Sequence, residues 1–192
     1  LGCGRRGKMF IVDVVSVGVL SRLREIVFGV QDWLISNVAL TTSMAIATES
    51  LTSIIIAGIT GAIAGTFSMA SGAFLSSRAE IEVGELVNPS SLKGKQPLLD
   101  PIIDAAAMGT SFMVAALIPI APYLIYAGGK AIGWSVGLTL ASLFLLGLGK
   151  GYLVQKGLVK SALEVFLVGV GSAGIGYLLG ECMPIVLKNI IH

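Results

Sequence analysis

The stretch LTSIIIAGITGAIAGTFSMASGAFLSS, residues 51–77, contains no charged side chain. A helix of about 20 predominantly apolar residues crosses the hydrocarbon core of a bilayer, so this stretch is long enough to span one. Membrane barrel strands are about half that length and alternate strictly between apolar and polar. No alternation occurs here, and backbone groups in lipid must be satisfied internally, so a helix is the expected form.

Four further stretches are long and mostly apolar: Ile26–Ala47, Pro101–Tyr126, Ile132–Gly149 and Ser161–Cys182. The expected fold is an all-α integral membrane protein with five transmembrane helices. Residues 1–25 form a basic segment with an interfacial helix over Met9–Leu20, which carries Asp13. Residues 26–182 form the transmembrane domain, and 183–192 a C-terminal tail. Composition agrees with this reading. The chain has 192 residues, 55% hydrophobic and 12% charged, where a soluble domain carries about 25% charged residues. Mean hydropathy is +0.91. A net charge of +2 gives no electrostatic footprint for nucleic acid.

Orientation follows from the basic residues. With the N-terminus cytoplasmic, Arg5, Arg6, Lys8, Arg22, Arg24, Arg78, Lys93, Lys95, Lys150, Lys156 and Lys160 fall inside, and only Lys130 and Lys188 outside. Connections are short except for residues 78–100, a polar cytoplasmic loop. Its first part holds Glu80, Glu82 and Glu85 and is able to continue the second helix. Its second part, NPSSLKGKQP, has turn chemistry. Cys3 and Cys182 fall on opposite sides of the membrane, so neither a disulfide framework nor zinc-ligand spacing is present, and the single histidine, His192, is terminal.

At 100° per residue, Glu25, Gly29, Asp32, Ser36, Ala39 and Ser43 share one narrow face of the first span. An acid at the centre of a membrane helix costs at least ~2.5–3.5 kcal/mol and marks a functional site by default. Asp32 is therefore a candidate cation or proton site; the competing reading is an interfacial acid bonded to backbone or to a base such as Arg24. In the second span Gly58, Gly61, Gly65, Ser68, Met69, Gly72 and Ser76 share a face. The glycines read as close-packing positions. Met69 is either a soft metal donor or a core filler. Asp104, Met108, Ser111, Ala115, Pro119 and Pro122 lie along one side of the third span. Asp104 and Glu164 read as first-turn acids favoured by the helix dipole. Glu80, Glu82 and Glu85 read either as collectors of cations at a pore mouth or as a solvated acidic face. No catalytic triad or paired-histidine motif occurs, and GLGKG at residues 147–151 lacks the remaining positions of a phosphate loop, so an enzyme is not expected.

Four stretches resemble the vacuolar iron transporter family, in particular its shorter nodulin-like members: REIVFGVQDWLISNVAL (24–40), AGITGAIAGTFSMASGAFLSS (57–77), ALIPIAPYL (116–124) and LFLLGLGKGYLVQKGLVKSALEVFLVGVGSAGIGYLLG (143–180). The resemblance implies a five-helix homodimer with an ion path near the two-fold interface. It implies export of Fe²⁺ or Mn²⁺ from the cytoplasm in exchange for protons, with no cofactor. The membrane would be the cell membrane in a prokaryote, or a vacuolar or other organelle membrane in a eukaryote. Asp32 matches the family's first-helix acid and Met69 its second-helix methionine. The metal-ligating set expected on these grounds is Asp32, Met69, Glu80, Glu82 and Glu85. The departures are Gly61 where the longer members carry a glutamate and the nodulin-like members also have a small residue, Trp33 in place of the usual glycine after the acid, Ala73 where many short members have an acid, and the short connection at 78–100 in place of the longer members' large acidic helical domain. The alternative reading is a non-transporting membrane assembly or metal-binding module on the same scaffold.

Overall fold

The structure, a computed structural model, describes residues 3–48, 50–87, 96–126, 129–153 and 157–191, with side chains described from Arg22 onward except at 153 and 191. It is all-helical among those residues, with five helices in chain order: α1 (Cys3–Thr48), α2 (Leu51–Val87), α3 (Leu99–Ile125), α4 (Gly129–Leu153) and α5 (Leu158–Ile191). The expected interfacial helix at Met9–Leu20 and the first span are one continuous α1. His192, the Cys3 side chain and most of the NPSSLKGKQP segment lie outside the described residues.

The helices overrun the apolar stretches that announced them. α2 continues through Glu80, Glu82 and Glu85 to Val87, since IEVGELV contains no proline and its single Gly84 costs a helix only about 1 kcal/mol. α5 continues through the expected tail to Ile191, carrying Pro184 in its interior, since the IVLKNII that follows is built of residues a helix accepts. α3 begins at Leu99, two residues earlier than the apolar stretch. The backbone N–H of Gln96 donates to Asp100 Oδ2 at 3.0 Å, and Asp100 N–H returns to the Gln96 carbonyl at 3.2 Å. Asp100 is thus the acid of the first turn. Asp104 sits one turn further in, which corrects its reading as a first-turn acid. Glu164 is likewise beyond the first turn of α5 and is exposed.

Four described helices are long and apolar enough to cross a membrane: α2, α3, α4 and α5. α1 is not among them, because Gln31, Asp32 and Asn37 fall in its apolar part. Trp33, Leu34, Asn37, Val38 and Thr41 are each at most 3% exposed, and both polar side-chain atoms of Asn37 are buried without a partner among the described residues. The Thr41 hydroxyl donates to the Asn37 carbonyl at 2.8 Å, so that polar side chain is satisfied within its own helix.

The chain divides into two compact units. One comprises residues 1–29 and 66–111, the other 30–65 and 112–192. In the second, α4 and α5 pack antiparallel. Gly147 lies against Ala162 and the Ser161 carbonyl, Gly151 against Leu158, and Gly169 against Leu143. α5 also lies on α1, where Gly176 and Gly180 meet Ala39 and the Ser43 carbonyl, and the Ser172 hydroxyl donates to the Ile35 carbonyl at 2.6 Å. Small residues four apart on both helices allow this approach. The Ala39–Ser43 half of the small face of α1 is therefore packing surface. The glycines of α2 also pack as expected here: Gly58 against Ile120, Gly65 against the Phe112 ring, and Gly61 beside the Trp33 indole.

Candidate metal site

The other unit holds the described candidate cavity. Two glycines set its geometry. A Cβ on Gly29 of α1 would lie 2.6 Å from Ser111 Oγ and 2.9 Å from the Met108 carbonyl of α3. A Cβ on Gly109 of α3 would lie 3.1 Å from the Ala70 Cβ of α2. These close crossings leave a cavity of about 590 Å³ between the three segments.

Helical spacing decides what lines it. α2 contributes the row Ser68, Met69, Gly72, Ala73, Ser76, Ser77 and Glu80; α3 contributes Asp104 and Met108, four apart; α1 contributes Arg24, Glu25 and Phe28. Gly72 keeps the space open, since a Cβ there would meet nothing within 4 Å. The lining therefore offers carboxylates from all three helices, thioethers from two, and hydroxyls.

Asp104 is the buried acid, 8% exposed, and the Ser77 hydroxyl donates to its Oδ2 at 2.8 Å. The Glu25 carboxylate is 12% exposed and accepts from Arg24 through Nη2 at 2.9 Å and Nε at 3.3 Å. Arg24 Nη2 is also 3.9 Å from Glu80 Oε1. The Glu25 hydrogen bond raises the Arg24 pKa above its ordinary value, opposed by desolvation and assisted by the charges of Glu25, Glu80 and Asp104. At the mouth of α3, Arg22 pairs with Asp100 at 3.3 Å.

Of the expected ligands, Met69 and Glu80 line this cavity together. Glu82 faces elsewhere and pairs with Arg78 at 3.1 Å, and Glu85 is exposed. At 100° per residue Glu82 lies well round the helix from Glu80, so the three glutamates form no single collector. Asp32 belongs to the other unit. It is half-buried beside the packed Trp33 and makes no hydrogen bond or ion pair among the described residues. Arg24, its expected competing partner, is engaged with Glu25. Among the described residues no group of three His, Cys, Asp or Glu side chains is gathered closely enough to hold a metal ion. Any cation in the cavity would therefore combine carboxylate with thioether, hydroxyl or water.

The expected set omitted Glu25, Asp104 and Met108. Their signal was present as the four-residue spacing of Asp104 and Met108, matched by the Met69–Ser76–Ser77–Glu80 row on the next helix.

A chain that is all-helical among its described residues, with four helices long and apolar enough to cross a membrane, is an integral membrane protein. The chain belongs to the VIT family, whose model matches residues 23–90 and 88–181. It is 30% identical to vacuolar iron transporter homolog 3 of Arabidopsis thaliana over 81% of this chain and 80% of that one. It is 26% identical to vacuolar iron transporter homolog 2 of Oryza sativa subsp. japonica over 77% and 82%. With vacuolar iron transporter homolog 2 of Arabidopsis thaliana it is 33% identical over 51% of each chain, so this chain spans about half the length of that relative.

Proposed function

We propose that the protein is a membrane transporter that moves a divalent transition metal, Fe²⁺ or Mn²⁺, out of the cytoplasm in exchange for protons. In this reading it works as a homodimer and catalyses no chemical transformation. The observation that carries the reading is the cavity in which Asp104, Glu80 and Glu25 face the same space as Met69 and Met108. Carboxylate oxygen selects for charge and hardness. Thioether sulfur favours transition metals over Mg²⁺ and Ca²⁺, while thioether without carboxylate would favour Cu(I). The names of the relatives support iron as cargo and a vacuolar or other organelle membrane as the location.

The roles divide by chemistry. The cavity, on the side assigned to the cytoplasm by the basic residues, collects the ion. Met69 and Met108 discriminate by softness. Asp32, an acid within the apolar part of α1 with no hydrogen-bond or ion-pair partner among the described residues, is a second, separate position able to take the ion or a proton. α1 is the crossing helix that tolerates this polarity because the other helices shield it.

Proteoliposomes loaded with a metal-sensing dye test this. Wild type takes up Fe²⁺ and Mn²⁺, Asp32→Asn does not, and Asp104→Asn is impaired. Equal uptake by wild type and both variants removes these acids from the mechanism. A stable dimer with no metal movement in wild type would instead support the assembly or metal-binding module.

A further inference from the structure

Arg24 is the cationic member of the described cavity lining, and its geometry is unusual for its position. Adjacent residues on a helix point about 100° apart and do not face each other. Arg24 nevertheless places both Nε and Nη2 on one oxygen of Glu25. The long side chain is folded over its neighbour, toward the acids of the cavity. The two partners differ in exposure: the Arg24 side chain is 66% exposed and that of Glu25 12%. The guanidinium can leave for water, where it is well solvated. The carboxylate cannot follow it and needs a replacement cation.

We propose that Arg24 is a tethered competitor for the cavity's acids: a divalent cation entering the cavity takes Glu25 from the guanidinium, and Arg24 takes it back as the ion leaves. This rests on the metal-site reading above and adds a specificity and release function to it. A monovalent ion gains no Coulomb advantage over the resident guanidinium, whereas a divalent ion does. The competition also keeps the site from holding its cargo too tightly, and passage requires a site weak enough to leave. The guanidinium is always protonated, so the competitor is present at every physiological pH.

The test is Mn²⁺ binding by calorimetry to the full chain in detergent, for wild type, Arg24→Gln, Arg24→Lys and Asp104→Asn. Removing the competitor should tighten binding about threefold to tenfold in Arg24→Gln, the scale of an exposed ion pair plus relief of charge repulsion. Arg24→Lys, which keeps the charge, should stay near wild type. A merely structural Arg24 predicts the opposite sign, weaker binding on removal. Unchanged or weaker binding in Arg24→Gln, while Asp104→Asn still loses Mn²⁺, overturns the competitor and leaves the cavity reading intact. Mn²⁺ binding that survives Asp104→Asn, or is missing from wild type, overturns both. Wild type provides an independent readout should a variant not fold: Mn²⁺ should speed phenylglyoxal modification of Arg24, measured by peptide mass. An unchanged or slower rate also overturns the proposal.

Discussion

The Ser77 hydroxyl and the Asp104 carboxylate join α2 to α3 inside the cavity, with Oγ donating to Oδ2 at 2.8 Å. The bond turns an acid near the start of α3 into a fixed wall of an internal space, with one oxygen engaged. Ser77→Ala therefore removes a hydrogen bond to a charged group, and should lower stability by about 1.5–3 kcal/mol. It should also weaken Mn²⁺ binding through a less well-oriented Asp104. Thermal unfolding and calorimetry of the same variant check both effects. Unchanged values in each would mean the bond orients nothing.

Two glycines on the same unit should respond in opposite ways. Gly29→Ala puts a methyl group 2.9 Å from a backbone carbonyl of α3, which cannot rotate aside. Overpacking of this kind costs about 1–3 kcal/mol. Gly72→Ala meets nothing and should be neutral or slightly stabilising, because alanine is the better helix former by about 1 kcal/mol. Gly72→Leu should preserve the melting temperature while filling the cavity and reducing Mn²⁺ affinity. Parallel melts and titrations separate these outcomes.

The α1–α5 contact depends on absent side chains. Gly176 lies directly on the backbone of Ala39, so Gly176→Val should force the helices apart and destabilise the second unit. Gly174, whose Cβ would meet nothing within 4 Å, should accept the same change on the same helix. Comparing the two by thermal unfolding in detergent removes the effect of valine on helix propensity.

The pH response of the Arg24 effect has a definite sign. Its pKa is raised by the Glu25 hydrogen bond. A group with a raised folded-state pKa contributes fully below its unfolded value and loses that contribution only as pH rises through the folded one. Both lie far above neutrality for a guanidinium. The ratio of Mn²⁺ affinities between Arg24→Gln and wild type should therefore be the same at pH 6 and pH 8. A ratio that varies across this window would require a different titrating group.

The helices were legible because each contains a long, predominantly apolar stretch, free of charge in the second and fourth, and such stretches in lipid leave few alternatives. Their ends were less so. Pro101 reads as a natural first residue of a helix, yet Asp100 and Gln96 already cap the chain before it, so Asp104 moved from the first turn to the cavity. Glu80 was found with Met69, whereas Glu82 and Glu85 were grouped with it by proximity in sequence rather than by helical face. Arg24 entered only as an example of a base for the competing reading of Asp32, and its contact with Glu25 was not foreseen, because neighbours in a helix do not ordinarily meet. The contact is made by side-chain length, which spacing does not encode.

A transition metal entering the space between Asp104, Met69 and Met108 would be visible directly. Anomalous scattering from crystals soaked in Mn²⁺ is the test of such entry. A peak should stand inside that cavity, within ligand distance of Asp104, and be lost in Asp104→Asn. A peak confined to the exposed Glu82 and Glu85, with none in the cavity, would contradict it.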